Sequence, residues 1–278
     1  TPNSEMKGRV ELKYDRKDFS DFNNKVVFDV EFDKASIASN DLNFFYNEFG
    51  KNNIFYVDTH LVGTLNNFTT HNLKLTDKNQ SEIIGTANFQ NLFGKENQEF
   101  YMKGSFDRIT SDYEALKIIM PRVLGKNLPS VLAKLGRVDL NGDVELTQKY
   151  INANVYLLSK LGIVDGDLAI QNIDNIDNAS YQGNIKLDNF DLGTLLSEKD
   201  LGKTTLDLNV DGKGFTQKLL NTSIEGTIKK FYYNGYNYQN VTVDGSMKMP
   251  YYKGYFNSND PNLKMDFDGV IDLSNKAS

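Results

Sequence analysis

The chain has 278 residues, with 31 Lys+Arg against 37 Asp+Glu, a formal net charge of −6, and 39% hydrophobic residues. That apolar share is too high for disorder and too low for a bundle of membrane helices, and no stretch approaches 18 consecutive apolar residues. The lack of cysteine, the presence of only His60 and His71, and the negative balance argue against disulfides, thiolate metal sites, His-based triads and phosphate-backbone binding.

Period-two alternation sets in early and recurs to the end. Val26, Phe28, Val30 and Phe32 alternate with polar residues. A helical turn is expected at Asp41 to Glu48. Val138, Leu140, Val144 and Leu146 repeat the alternation, followed by Leu206, Leu208 and Val210, then by Leu263, Met265, Phe267, Ile271 and Leu273. Alternation of this kind places apolar side chains on one face of a strand and polar ones on the other. With Asn/Asp/Gly turns between the segments, it predicts an antiparallel all-β protein.

Glycine recurs in phase with the apolar face. It does so in Met6-Gly8-Val10, Leu61-Gly63-Leu65, Ile83-Gly85-Ala87, Met102-Gly104-Phe106 and Leu140-Gly142-Val144. Val164-Gly166-Leu168, Tyr181-Gly183-Ile185, Ile224-Gly226-Ile228, Val243-Gly245-Met247, Tyr252-Gly254-Phe256 and Phe267-Gly269-Ile271 continue the series. Glycine weakens a strand, so its repeated use on one face predicts a bend, a bulge or a close approach to the backbone. The pattern suggests a long sheet curled around its apolar side.

The longest helical exception is Ser111 to Leu135. Ser111 and Glu114 have the spacing of a capping box, and Leu116, Ile119 and Met120 follow at helical spacing. Pro121 breaks the helix, Gly125 reads as a stop, Pro129 as a restart and Gly136 as a second stop. Shorter turns are expected at Leu192 to Ser197 and Thr216 to Leu220. With no linker or charge block, residues 1–278 read as one continuous piece of a β domain with a helical insert at about 111–135. Neither end reads as the end of a gene product, so the piece is expected to come from a longer chain that holds any targeting signal or anchor.

Chemical motifs fall away on inspection. Asp207-Leu-Asn209-Val-Asp211-Gly212 opens like a calcium loop, but Lys218 stands where the closing carboxylate belongs and the segment alternates as a strand. Gly212-Lys-Gly214 lacks the third glycine of a dinucleotide fingerprint. Asp139, Asn141, Asp143 and Glu145 share the polar strand face and read as a solvated surface. His60 reads as structural. No nucleophile, oxyanion or metal constellation emerges, so the expectation is a non-enzyme without cofactor.

Four stretches carry a family resemblance: IIMPRVLGKNLPSVLAKLGRVDLNGDVELT, YQGNIKLDNFDLGTLLSEKDLGKTTLDLNVDGKGF, FYYNGYNYQNVTVDG and NDPNLKMDFDGVIDL. From about Ile109 to Leu273 the chain resembles the periplasmic TamB family in its Bacteroidota form, a relative of the AsmA-like proteins. SNDLNFFYNEFG, LVGTLNNFTTHNLKL and IIGTANFQNLFG resemble it more loosely. The resemblance implies a sheet folded lengthwise into a U-shaped apolar groove, often called a β-taco. It further implies an inner-membrane anchor outside this piece, a periplasmic location and an outer-membrane barrel partner of the TamA type. The implied roles are phospholipid transport between the two membranes, outer-membrane biogenesis, and protein secretion and assembly.

On that reading the groove lining comprises Val138, Leu140, Val144, Leu146, Val155, Leu157, Ile185, Leu187, Leu206, Leu208, Val210, Val243, Leu263, Met265, Phe267 and Ile271. The insert at 111–135 is a candidate plug or gate. Alternation alone leaves two other readings open: an outer-membrane β-barrel, and an all-β scaffold whose apolar face is closed.

Overall fold

In the computed structural model, residues 3–45, 50–92, 98–119, 128, 130–173, 175, 178–214, 219–272 and 274 are described. All fifteen strands belong to one antiparallel sheet in which sheet order equals chain order, and the sheet is not closed into a barrel. This is the all-β architecture the alternation predicts. The chain divides into two compact units, Thr1–Gln148 and Lys149–Ser278. The division falls in a hairpin connection, where composition does not change.

The first unit holds β1 (Gly8–Lys13), β2 (Val27–Ala38), β3 (Ile54–Thr64), β4 (Asn67–Asp77), β5 (Glu82–Gln90), β6 (Tyr101–Ser111) and β7 (Val138–Thr147). Its helices are α1 (Phe22–Lys25), α2 (Ser39–Phe45) and α3 (Tyr113–Ile119), with 3-10 turns at Arg16–Asp21 and Ser130–Leu135. The register slips in five consecutive strand pairs, at Phe32/Ala35, Asp58/His60, Thr70/Leu73, Ile84/Gly85 and Phe106/Ile109. Lys34 and Asn72 take left-handed backbone at two of these slips, a conformation Asn tolerates better than most residues. Each slip lets the next stretch of strand return its apolar side chains to the same face.

Helix α3 starts differently from the capping box in the sequence. Ser111 ends β6, and its hydroxyl lies 3.0 Å from that of Ser81. The cap is Asp112, whose carboxylate accepts the Ala115 N–H at 2.9 Å. A buried hydroxyl beside another buried hydroxyl is already satisfied, so the adjacent carboxylate takes the free donors of the first turn. Ala115 and Ile119 are buried. Met120, Pro121, Gly125 and Pro129 lie outside the described residues, so the single insert at 111–135 is seen as α3 and the later 3-10 turn. Helix α2 begins two residues before the expected turn, and residues 46–48 lie outside the described set.

The second unit holds β8 (Tyr150–Ser159), β9 (Gly162–Gln171), β10 (Ser180–Asp191), β11 (Leu201–Lys213), β12 (Asn221–Tyr233), β13 (Tyr236–Lys248), β14 (Tyr251–Asn259) and β15 (Lys264–Asp272). Its described helix, α4 (Leu192–Leu196), falls where the sequence places a turn. Asp191 caps it by accepting from the Thr194 N–H at 2.8 Å and the Thr194 hydroxyl at 2.7 Å. These donors favour the carboxylate and hold its pKa below the usual Asp value. Most of the turn expected at Thr216 to Leu220 lies outside the described residues.

The in-phase glycines do what their cost requires at two clear positions. Gly183 and Gly226 have φ of +144° and +145°. A Cβ at Gly183 would land on the carbonyl oxygen of Asp167, and one at Gly226 on that of Asp207. The neighbouring strand therefore approaches closer than any L side chain allows.

Candidate functional site

Strand register in the second unit assembles one apolar face. Directly opposed residues in neighbouring strands share a face. The pairings join Val155, Gly166, Ile185, Leu208, Gly226, Val243, Phe256 and Phe267 into a row across all eight strands. The row on one side of it runs Leu157, Val164, Leu187, Leu206, Ile228, Val241, Ser258 and Met265. On its other side, Ala153, Leu168, Gly183, Val210, Ile224, Gly245, Gly254 and Gly269 form a third row. A fourth contains Ile151, Ile170, Tyr181, Gly212, Thr222, Met247, Tyr252 and Ile271. No residue in these rows is charged. At two residues per row and one strand per step, the face measures about 20 by 35 Å.

The opposite face has a different chemistry. Asn154, Asp167, Asn184, Asn209, Glu225, Asp244, Tyr255 and Asp268 are joined by the same pairings. Asn184 donates to Asp207 Oδ1 at 2.9 Å and to Asn209 Oδ1 at 3.1 Å. Two hollows of about 870 and 370 Å³ open on this side. The larger one lies over the third row, where Gly183, Gly245 and Gly254 leave the sheet without side-chain thickness. The calcium-like Asp207, Asn209 and Asp211 sit on β11 as the strand reading expects. Among the described residues no group of three or more His, Cys, Asp or Glu is arranged to hold a metal ion.

The apolar face is a one-sided layer. Its centre is Leu208, Val241 and Val243, packed by Ile185, Leu206, Val210, Ile224, Ile228 and Phe256. All nine stand on the same face of adjacent strands. Among the described residues every strand belongs to this one sheet, and no second sheet is present to close over it.

None of the sixteen residues expected to line the groove is exposed. Val138, Leu146, Leu187, Leu208 and Val243 are buried and the others half-buried. Val155, Ile185, Leu208, Val243 and Phe267 meet in the first row. Leu157, Leu187, Leu206 and Met265 meet in the second, and Val210 and Ile271 extend the face. In the first unit, Val138, Leu140, Val144 and Leu146 stand opposite Ser111, Ile109, Gly104 and Met102. Leu263 departs from the expectation of a strand position. It closes the β14–β15 turn, exchanging backbone hydrogen bonds of 3.3 Å with Asp260.

The expected lining omitted Val164, Ile228 and Phe256, although each flanks an in-phase glycine and that phase marks it. It also omitted Val241, although it stands two residues before Val243-Gly245-Met247 and in the same phase.

One end of the face is fastened by polar chemistry. Asp260 is fully buried and accepts from the Asn262 N–H at 2.8 Å, the Tyr236 hydroxyl at 2.9 Å and the Gln239 N–H at 3.0 Å. Burial pushes its pKa up, but these donors together outweigh burial and hold the carboxyl below the usual Asp value. Donating its hydroxyl proton to the Asp260 carboxylate in this hydrogen bond raises the pKa of the Tyr236 phenol. His60, in the first unit, has a structural partner: its Nε2 lies 2.8 Å from Asp29 Oδ1, and Lys13 approaches the same carboxylate at 3.0 Å.

No protein-family model, curated protein or solved structure matches the chain. No helix among the described residues is long and apolar enough to cross a membrane.

Proposed function

We propose that the protein is a periplasmic bridge-like carrier that passes phospholipid between the inner and outer membranes along an apolar groove. It supports outer-membrane biogenesis as a TamB-type protein working with a TamA-type barrel. The observation that carries the reading is the uncharged four-row face of the second unit, on a sheet that is not closed into a barrel. The resemblance read in the sequence supplies the location and the partner.

The physical need is large. Two acyl chains of roughly 16 carbons expose about 30 methylenes, so crossing water costs about 20 kcal/mol or more. Acyl chains lying along the rows exchange that exposure for contact with Leu, Val, Ile and Phe, while the head group stays in solvent. No reaction and no specific polar pocket is required.

Native mass spectrometry of the chain purified without detergent tests this. Bound phospholipid is the expected result, and Phe267→Asp, at a half-buried site on the last strand, is expected to lose it while keeping its β-sheet circular dichroism. A lipid-free protein after exposure to phospholipid vesicles rejects the proposal.

A further inference from the structure

Asn is followed by Gly at two places in the chain, Asn141-Gly142 and Asn234-Gly235. In such a pair the side-chain amide carbon of Asn lies open to the backbone nitrogen of the next residue, because Gly puts no side chain in the way. Both Asn residues are exposed, and neither side-chain amide has a hydrogen-bond partner among the described residues.

The two pairs differ in their backbone. Asn141-Gly142 lies inside β7, and Leu140 and Gly142, on either side of the Asn carbonyl's turn of chain, are paired with Ile109 and Phe106 of β6. Asn234-Gly235 is the two-residue turn of the β12–β13 hairpin, outside a ladder that closes at Tyr233 and Tyr236. Its residues take φ of +46° and +85°, which suits a tight hairpin. The space where a Gly235 side chain would stand is empty to 4 Å. The Asn234 N–H donates to the Asp200 carbonyl at 2.8 Å.

This turn closes an aromatic end of the apolar face. Leu206 pairs with Ile228 but Thr205 with Lys230, so β12 holds one extra residue at Lys229, and Phe231, opposite Thr204, returns to the face of Leu206 and Ile228. Phe231 stands opposite Tyr238, and Tyr233 opposite Tyr236. Phe231 and Tyr233 are stacked at 6.1 Å, and Tyr236 meets Tyr238 edge-on at 4.8 Å.

We propose that Asn234-Gly235 is a site of spontaneous deamidation and that the fold protects Asn141-Gly142 from the same reaction. The Gly235 nitrogen gives up its proton and attacks the Asn234 amide carbon. A new C–N bond forms, the bond to the side-chain nitrogen breaks, and that nitrogen leaves as ammonia, taking up the proton. Water then opens the cyclic imide at either carbonyl. One cleavage gives an ordinary aspartate, and the other gives isoaspartate, in which the main chain runs through the former side chain. Closing the imide requires rotation about the bond between the Asn Cα and its carbonyl. A turn outside the ladder rotates locally, whereas in β7 the pairs with β6 must open first.

Isoaspartate adds a carbon to the main chain of a turn built for two residues, so the pairing of Tyr233 with Tyr236 is lost and the rings beneath it loosen. The new carboxylate also adds a negative charge where Asn234 meets Asp200. None of this depends on the carrier reading.

The test holds the purified chain in warm, mildly alkaline buffer and follows the two Asn-Gly peptides by mass spectrometry and by isoaspartyl methyltransferase labelling. The Asn234 peptide is expected to lose its amide, to give isoaspartate in excess over aspartate, and to react faster as pH rises. Asn141 is expected to lag at least about ten-fold, the factor that about 1.4 kcal/mol of strand opening imposes. In urea the two rates are expected to converge. Hydrogen exchange of the aged protein should quicken from Tyr233 to Tyr238 and stay unchanged in β7. Asn234→Gln, which would need a larger ring, is expected to abolish labelling of the turn peptide. An intact Asn234, equal rates at the two sites in the folded protein, or a gap that persists in urea overturns the inference.

Discussion

The two units are built from the same alternating strands but bury their apolar side chains differently. Among the described residues, fifteen buried hydrophobic side chains lie in the first unit and eight in the second. The first breaks its register in five neighbouring strand pairs and sets α2 and α3 at the strand ends. The second keeps eight strands in step across four rows, and its slips fall past the row of Leu187 and Leu206. It has one short described helix. Bulges and helices bring in side chains that fill space, whereas rows in step give an unbroken uncharged layer. The second unit is therefore the better place to look for a bound acyl chain.

Four comparisons sharpen that contrast, in falling order of effect. Leu208→Asp puts an unpaired charge at the centre of the one-sided core and is expected to cost about 3–5 kcal/mol in urea unfolding. Alternation alone would nominate this substitution to tell an open face from a closed one, but the burial of Leu208 makes it a folding lesion in both cases. Phe106→Ala in the first unit, where the ring is 6% exposed and lies over Gly104, is expected to cost about 3–4 kcal/mol. The matching Phe267→Ala in the second unit should cost about half as much, because that ring is half-buried; equal losses would remove the contrast between the units.

Gly183→Ala is expected to cost about 2 kcal/mol, since its Cβ strikes the Asp167 carbonyl and its φ is positive. Gly166→Ala should be nearly neutral, because the nearest atom to its Cβ is 3.8 Å away. Thermal unfolding of the pair separates glycines that shape the sheet from those that only occupy it.

The smallest effect concerns Asp191. Its Asp191→Ala variant should lose about 0.5–1 kcal/mol of helix-cap stability at neutral pH. The folded carboxyl has the lower pKa, so this stability is present above the unfolded value near 3.9 and is lost as pH falls through the folded one. The gap in Tm between wild type and variant is expected to close in acid and to stay constant from about pH 5 to 8.

Much of this was legible in the residues. Alternation in Leu206, Leu208 and Val210, or in Met265, Phe267 and Ile271, fixes which side chains share a face, because a strand has a period of two. The in-phase glycines announced close backbone approach, and Gly183 and Gly226 show it. The helix after β6 was legible to within one residue, but its cap was not. Choosing Asp112 over Ser111 depends on Ser81, thirty residues earlier, occupying the Ser111 hydroxyl. Leu263 was misplaced for a similar reason, since Asp260 gathers the turn around its own carboxylate.

What the sequence determined is therefore local and periodic: strand, face and the positions where a side chain is forbidden. Only the tertiary structure decided which rows line up, where the register slips and which polar groups are already taken. Phe231 illustrates the point, because counting by twos from Ile228 puts it on the polar face and the slip at Lys229 returns it to the apolar one. Those outcomes depend on hydrogen bonds between strands distant along the chain, and a one-residue slip in any of them exchanges the two faces of a strand.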